Sequence, residues 1–237
     1  MIQNSPGRYA APSQVGVRPD ARLAQAFLTQ SFFWMFLGLL VTTGVGFLIS
    51  SVPEATLVKY AWLALPLLLV QLGVAFGLSL AIRKISATVG LLLFFVYAAI
   101  TGVTLGFILL TYELGSIVAA GSSAAAVFGA AAIYGAVTKR NLAGLAPYLF
   151  MGLIGVIVAS LANMFIGWDW LSFGISVFGV VVFTGLTAYD VQKIQRGDVA
   201  AWTQSMEKGA VMGAFKLYLD FINLFFMLLR LFGNGRS

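Results

Sequence analysis

Residues 209–232 read GAVMGAFKLYLDFINLFFMLLRLF, a segment apolar along its length except for Lys216, Asp220, Asn223 and the terminal Arg230. As one α-helix rising 1.5 Å per residue it would be about 36 Å long, more than the ~30 Å hydrocarbon core of a bilayer. Upstream, GLTAYDVQKIQ at 185–195 likewise sets one carboxylate, Asp190, among residues that belong in oil. An ionised carboxylate at that depth costs about 3 kcal/mol on insertion scales. Something in the fold must compensate for both aspartates.

The remaining chain has the same character: 60% of its 237 residues are hydrophobic and 9% charged, with a mean hydropathy of +0.97. No soluble domain keeps such a composition in water. Apolar segments at roughly 27–49, 61–82, 88–111, 117–137, 145–167, 171–191 and 209–232 follow one another with short gaps. They predict an all-α integral membrane protein, a seven-transmembrane-helix bundle forming a single membrane domain over residues 25–237. Residues 1–24 carry Pro, Ser, Gly and three arginines without an apolar run, and read as a flexible cytoplasmic tail rather than a signal peptide. With no cysteine and no histidine, thiol chemistry, disulfides and the commonest zinc ligands are excluded, and any titration falls to carboxylates. No GxxxxGK[ST] loop occurs, which removes P-loop nucleotide binding. The net charge of +6 is spread over loops, so it implies contact with membrane lipid and no nucleic acid. Glycines within the spans read as devices for close helix packing, and Trp168 and Trp170 as headgroup-level belt residues.

Basic residues set the orientation. Arg8, Arg18 and Arg22, then Arg83 and Lys84, Lys139 and Arg140, and Lys193, Arg196 and Lys208 fall at alternate span ends, whereas the intervening loops hold Glu54, Glu113 and Asp169 beside Lys59. The N-terminus is therefore expected in the cytoplasm. Arg230 and Arg236 then fall outside against the rule, which leaves a six-span version with a re-entrant last segment as the alternative.

Lys193 lies three residues beyond Asp190 and Lys216 four before Asp220, both on the cytoplasmic side. If both lysines snorkel to the interface, the aspartates match in depth in antiparallel helices. Two facing carboxylates cannot both ionise cheaply, so a shared proton is expected, and such a pair would sense pH. The competing arrangement is that Lys216 neutralises Asp220 at i,i+4 while Asp190 caps or pairs with Lys193. Asn223, one turn above Asp220, offers a polar partner for water or a cation.

The segments TGLTAYDVQKIQ and LYLDFINLFFMLLRLFG closely resemble the two signature segments of the Bax inhibitor-1 (transmembrane Bax inhibitor motif) family in its bacterial branch, and the likeness runs from about Arg22 to the end. It implies seven helices with the last central, acting as a pH-sensitive calcium leak, with Asp190 and Asp220 as hydrogen-bonded pH sensor, ion path and transient calcium ligands. It also implies a basic latch on Asp190 from the cytoplasmic end of the second span, where LSLAIRKIS places Arg83 with Lys84 as rival. Lys216 is not required by the family motif, and would either raise the barrier to cations or act on Asp220. The expected traffic is calcium and protons, without a cofactor or catalytic residue, in a bacterial inner membrane. Two other classes compete. An intramembrane aspartyl protease would also use a YD motif, here Tyr189–Asp190, but the second aspartate stands in LYLD rather than GxGD, and no PAL tripeptide follows. A regulatory membrane protein without transport of its own leaves no mark in sequence.

Overall fold

The computed structural model of the chain describes residues 21–233. Arg8 and Arg18 of the expected tail, and Arg236, lie outside the described residues. The elements are α1 (Ala21–Ser50), α2 (Glu54–Lys59), α3 (Ala64–Ala81), α4 (Ala87–Thr111), α5 (Leu114–Val137), α6 (Ala146–Ile166), α7 (Asp169–Gln195), α8 (Asp198–Thr203) and α9 (Met206–Phe232). Short 3-10 turns at Ala61–Leu63 and Leu142–Leu145 lead into α3 and α6. No strand occurs among the described residues.

Local signals account for the ends. Ser86 accepts from the Val89 amide at 3.3 Å to start α4, and Ser205 accepts from the Lys208 amide at 3.3 Å to start α9, each satisfying a donor that a helix N-terminus leaves orphaned. Gly167, at φ 72°, closes α6 in the left-handed region that glycine occupies without Cβ cost.

Among the described residues six helices are long and apolar enough to cross a membrane; α3 is shorter. Contacts nevertheless require α3 to cross. Helices α1 and α4 run parallel, with Gly38 against Phe94, Gly102 against Val45 and Gly106 against Ile49, so α3 must return the chain from the far end of α1 to the start of α4. At 18 residues it spans about 27 Å, close to the hydrocarbon thickness. The chain thus makes seven crossings. Helix α9 is continuous from the basic end, where Gly209 meets Phe27 and Ala200, to the opposite end, where Gly233 meets Tyr112. The re-entrant alternative does not hold.

The loops expected to share one side do so. Lys208 Nζ donates to the Arg83 carbonyl at 3.1 Å, Arg196 Nη1 to Asn141 Oδ1 at 2.7 Å, and Gln192 Nε2 to the Arg140 carbonyl at 2.8 Å. One end of the bundle therefore gathers Arg83, Lys84, Lys139, Arg140, Lys193, Arg196 and Lys208. The polar connection after the sixth crossing is more ordered than its composition suggests: it folds into α8, bracketed by left-handed Gly197 and Gln204, with Val199, Ala200 and Thr203 buried.

Helix α9 is the axis of the bundle. In its most apolar stretch 72% of residues are buried inside the protein, against 17–44% for the other five long helices, and it packs on α1, α4, α5, α7 and α8. Phe215, Leu217, Tyr218 and Leu224 are fully enclosed. Phe33, Phe47, Leu80 and Phe165 instead face outward, as side chains in contact with lipid do. Small residues serve close approach at particular seams rather than everywhere. A Cβ on Gly102 would come within 2.7 Å of the Thr42 carbonyl and one on Gly179 within 2.8 Å of Met227 Sδ, yet at Gly44, Gly73 and Gly77 it would meet nothing within 4 Å.

Candidate functional site

Helices α7 and α9 are antiparallel, and two tight contacts fix their register: Gly179 faces Met227, and Gly213 faces Ile194. Counting between them puts the backbone of Asp190 level with Lys216 and Leu217, and that of Asp220 about one turn nearer the far end. The aspartates are therefore offset on the backbone rather than level, because glycine packing, not lysine snorkelling, sets the register. Their side chains narrow the offset. A helical Cα–Cβ bond tilts toward its own N-terminus, so in antiparallel helices the two carboxyls lean toward each other along the bundle axis.

Asp190 is buried, at 5% exposure, and its Oδ1 accepts from Lys216 Nζ at 3.0 Å. This is the one ion pair among the described residues. Lys216 is partly buried, with its side chain 24% exposed against 8% for Asp190, and it reaches sideways to α7 instead of snorkelling to the membrane edge. Lys193 takes no part: its ammonium donates to Tyr189 Oη at 3.1 Å and lies 5.4 Å from that ring's centre. The alternative pairing expected from spacing, Lys216 with Asp220 and Lys193 with Asp190, is thus replaced by one bond across the seam.

Asp220 sits midway along α9 at 5% exposure, within electrostatic reach of both Asp190 and Lys216. Its Oδ2 is buried and no protein donor reaches it. Such an oxygen calls for a proton, held alone or shared with another carboxylate, or for a cation. Asn223, half-buried one turn farther on, turns its amide back to donate to the Leu219 carbonyl at 2.7 Å. Among the described residues no three His, Cys, Asp or Glu side chains converge. The site is a pair of carboxylates and one ammonium, fewer oxygens than the six to eight that a calcium ion takes.

A second buried polar cluster, on the other side of α9, escapes sequence reasoning. Thr42 Oγ1 donates to the Ala98 carbonyl at 2.9 Å and lies 2.6 Å from Tyr218 Oη. With the only threonine hydrogen committed to that carbonyl, the tyrosine must be the donor. Thr101 donates to the Tyr97 carbonyl at 2.9 Å, accepts from Gln71 Nε2 at 3.2 Å and neighbours the Tyr218 hydroxyl. At 100° per residue, Tyr218 and Asp220 point to opposite sides of α9, so bonding Tyr218 to α1 holds Asp220 toward α7. Thr42, Gln71 and Thr101 are visible in the sequence as polar residues within apolar runs, but nothing there pairs them.

Comparison with known proteins identifies the family. The family described as inhibitor of apoptosis-promoting Bax1 matches residues 24–237. The chain belongs to that family. It is 42% identical over 226 residues to the Escherichia coli K12 inner membrane protein YbhL, covering 93% of this chain and 96% of YbhL. A Borreliella burgdorferi protein is 41% identical over 224 residues, covering 93% and 97%, and a Streptococcus pyogenes serotype M3 membrane protein is 44% identical over 167 residues, covering 70% and 72%. Of the features that the family resemblance implies, Asp190 and Asp220 stand on the two sides of the α7–α9 seam within electrostatic reach of each other, but the expected hydrogen bond between them is not seen: Asp220 Oδ2 has no partner among the described residues. Arg83 is not on Asp190: it is exposed in the turn after α3, its carbonyl engaged by Lys208, and the basic partner of Asp190 is Lys216.

Proposed function

We propose that this chain is a pH-gated cation leak with calcium as the ion, residing in a bacterial inner membrane with its N-terminus in the cytoplasm, and held shut by the Lys216–Asp190 pair. The observation that carries this reading is the buried, donorless Oδ2 of Asp220 beside that pair, midway along the central helix. Intramembrane carboxylates are expensive, and their usual task is an ion or proton path. The relative YbhL is an inner membrane protein, which supports the location, and the gathering of basic residues at one end of the bundle supports the orientation.

Acid acts in one direction. Protonating Asp190 removes the charge that holds Lys216, the seam loses its ion pair, and the path opens, so flux rises as pH falls. A carboxylate engaged by an ammonium is a poor base for splitting water, which weighs against peptide hydrolysis. The test is calcium flux into proteoliposomes across a pH series. Asp190→Asn and Asp220→Asn are each expected to abolish the pH dependence, whereas Arg83→Ala is expected to keep the wild-type profile, since Arg83 does not hold Asp190 in this state. Flux no greater than in empty liposomes at every pH would refute the leak; a shifted profile in Arg83→Ala with an unchanged one in Lys216→Met would return the latch to Arg83.

A further inference from the structure

The charge at the seam is set by three side chains. Helices α4, α5 and α6 contain no Asp, Glu, Lys or Arg, α1 has only Arg22 in its first turn, and α3 has none between Ala64 and Ala81. On α7, Asp169 begins the helix at the far end and Lys193 is turned to Tyr189; on α9, Glu207 and Lys208 lie in the first turn and Arg230 in the last. What a mobile cation meets in the middle of the bundle is therefore Asp190, Asp220 and Lys216. One of the two carboxylates is already occupied, because Lys216 Nζ stands 3.0 Å from Asp190 Oδ1, about where a small cation's ligand shell would need that oxygen. The other carboxylate has an oxygen with no donor.

We propose that Lys216 is the specificity-determining residue of this site, a tethered cation seated on Asp190 that a divalent ion must displace before it can bridge the two carboxylates, whereas a monovalent cation can be served by Asp220 alone. This rests on the reading of the carboxylates as an ion path. The physical asymmetry is one of charge and ligand count. Calcium needs several oxygens at once and draws its affinity from the number of charged ones, so it loses most when one of only two carboxylates is engaged. A monovalent cation of weaker ligand demand loses less. The ammonium is covalently held, so its local concentration at Asp190 is high and independent of the ions in solution. Its partial exposure gives it somewhere to go: a lysine stem can lie along apolar surface while the ammonium swings toward the basic end.

The experiment compares wild type, Lys216→Met, Lys216→Gln and Lys216→Arg as full-length protein in proteoliposomes at one fixed neutral pH, measuring calcium and potassium influx separately. Removing the ammonium should raise the calcium-to-potassium flux ratio roughly tenfold, the scale on which a partly buried ion pair competes. Lys216→Arg, which keeps the charge, should hold the wild-type ratio. Lys216→Gln covers the case in which methionine beside a buried carboxylate prevents folding, since its amide still donates to Asp190. A second measurement needs no conduction: the unfolding temperature of purified protein in calcium chloride against potassium chloride. Calcium should stabilise Lys216→Gln or Lys216→Met but not wild type, and adding Asp220→Asn should remove that stabilisation. An unchanged flux ratio together with no calcium-specific stabilisation in the charge-removing variants overturns the proposal. If no protein conducts yet calcium stabilises only the charge-removed variants, the leak is refuted and the tethered cation stands.

Discussion

Cutting the Lys216–Asp190 pair from either side should cost stability, and the two cuts should not add. At 3.0 Å separation and an effective dielectric near 20, the gross attraction is about 5.5 kcal/mol. Desolvation of Asp190, whose side chain is 8% exposed, and the partial hydration of Lys216, 24% exposed, take back much of it. A coupling of about 1–2 kcal/mol remains. Lys216→Met strands a buried carboxylate, which in a fully enclosed pair costs about 3–5 kcal/mol; the opening on the lysine side lowers the expectation to about 2 kcal/mol. Asp190→Asn leaves an amide that still accepts from the ammonium, and should cost about 1 kcal/mol. The double variant should be no less stable than Lys216→Met alone, because the stranded charge is gone. Equilibrium unfolding in detergent micelles, followed by helical circular dichroism, provides the cycle. Additivity within about 0.5 kcal/mol would show the two residues to be uncoupled, and the pair would then have no energetic meaning.

Tyr218→Phe keeps the ring's edge contact with Phe94 at 5.3 Å but removes the hydroxyl that donates to Thr42, so a loss of about 1 kcal/mol is expected in the same assay; a neutral result would mean that the bond does not orient α9. Glycine seams should separate by what they face. Gly135→Ala drives a methyl into the Ala188 backbone and should cost about 1–3 kcal/mol, whereas Gly179→Ala meets the flexible Met227 side chain and should cost less; equal costs would contradict the rigid α5–α7 contact. Reporters fused after Trp168 and after Ser237 should read on the same side of the membrane, with one after Arg196 on the other, because α7 and α9 each cross the whole bundle. A reporter after Ser237 that sides with Arg196 would refute the seventh crossing.

Fold class and the two aspartates were legible in the sequence because each rests on a property of single segments. A 24-residue apolar run spans a bilayer whatever its neighbours are, and a carboxylate within such a run is anomalous on its own terms. The partner of Asp190 was not legible, because partnership depends on register, and register is set by pairs such as Gly179–Met227 and Gly213–Ile194 that no spacing within one helix reveals. Spacing alone offered Lys193 and Lys216 as each aspartate's local lysine, at i+3 and i−4. The fold instead turned Lys193 onto Tyr189 and sent Lys216 across the seam. For the same reason the hydroxyl cluster at Tyr218, Thr42, Thr101 and Gln71 stayed hidden, since it joins four helices. The two polar systems share one cause. Because α9 is enclosed by α1, α4, α5 and α7, every polar residue on it must find its partner on a neighbouring helix, within α9 itself, or in a proton or ion. Tyr218 finds Thr42, Lys216 finds Asp190 and Asn223 finds its own helix. Among the described residues Asp220 Oδ2 is buried with no donor, and on the reading proposed above that oxygen is where a mobile charge belongs.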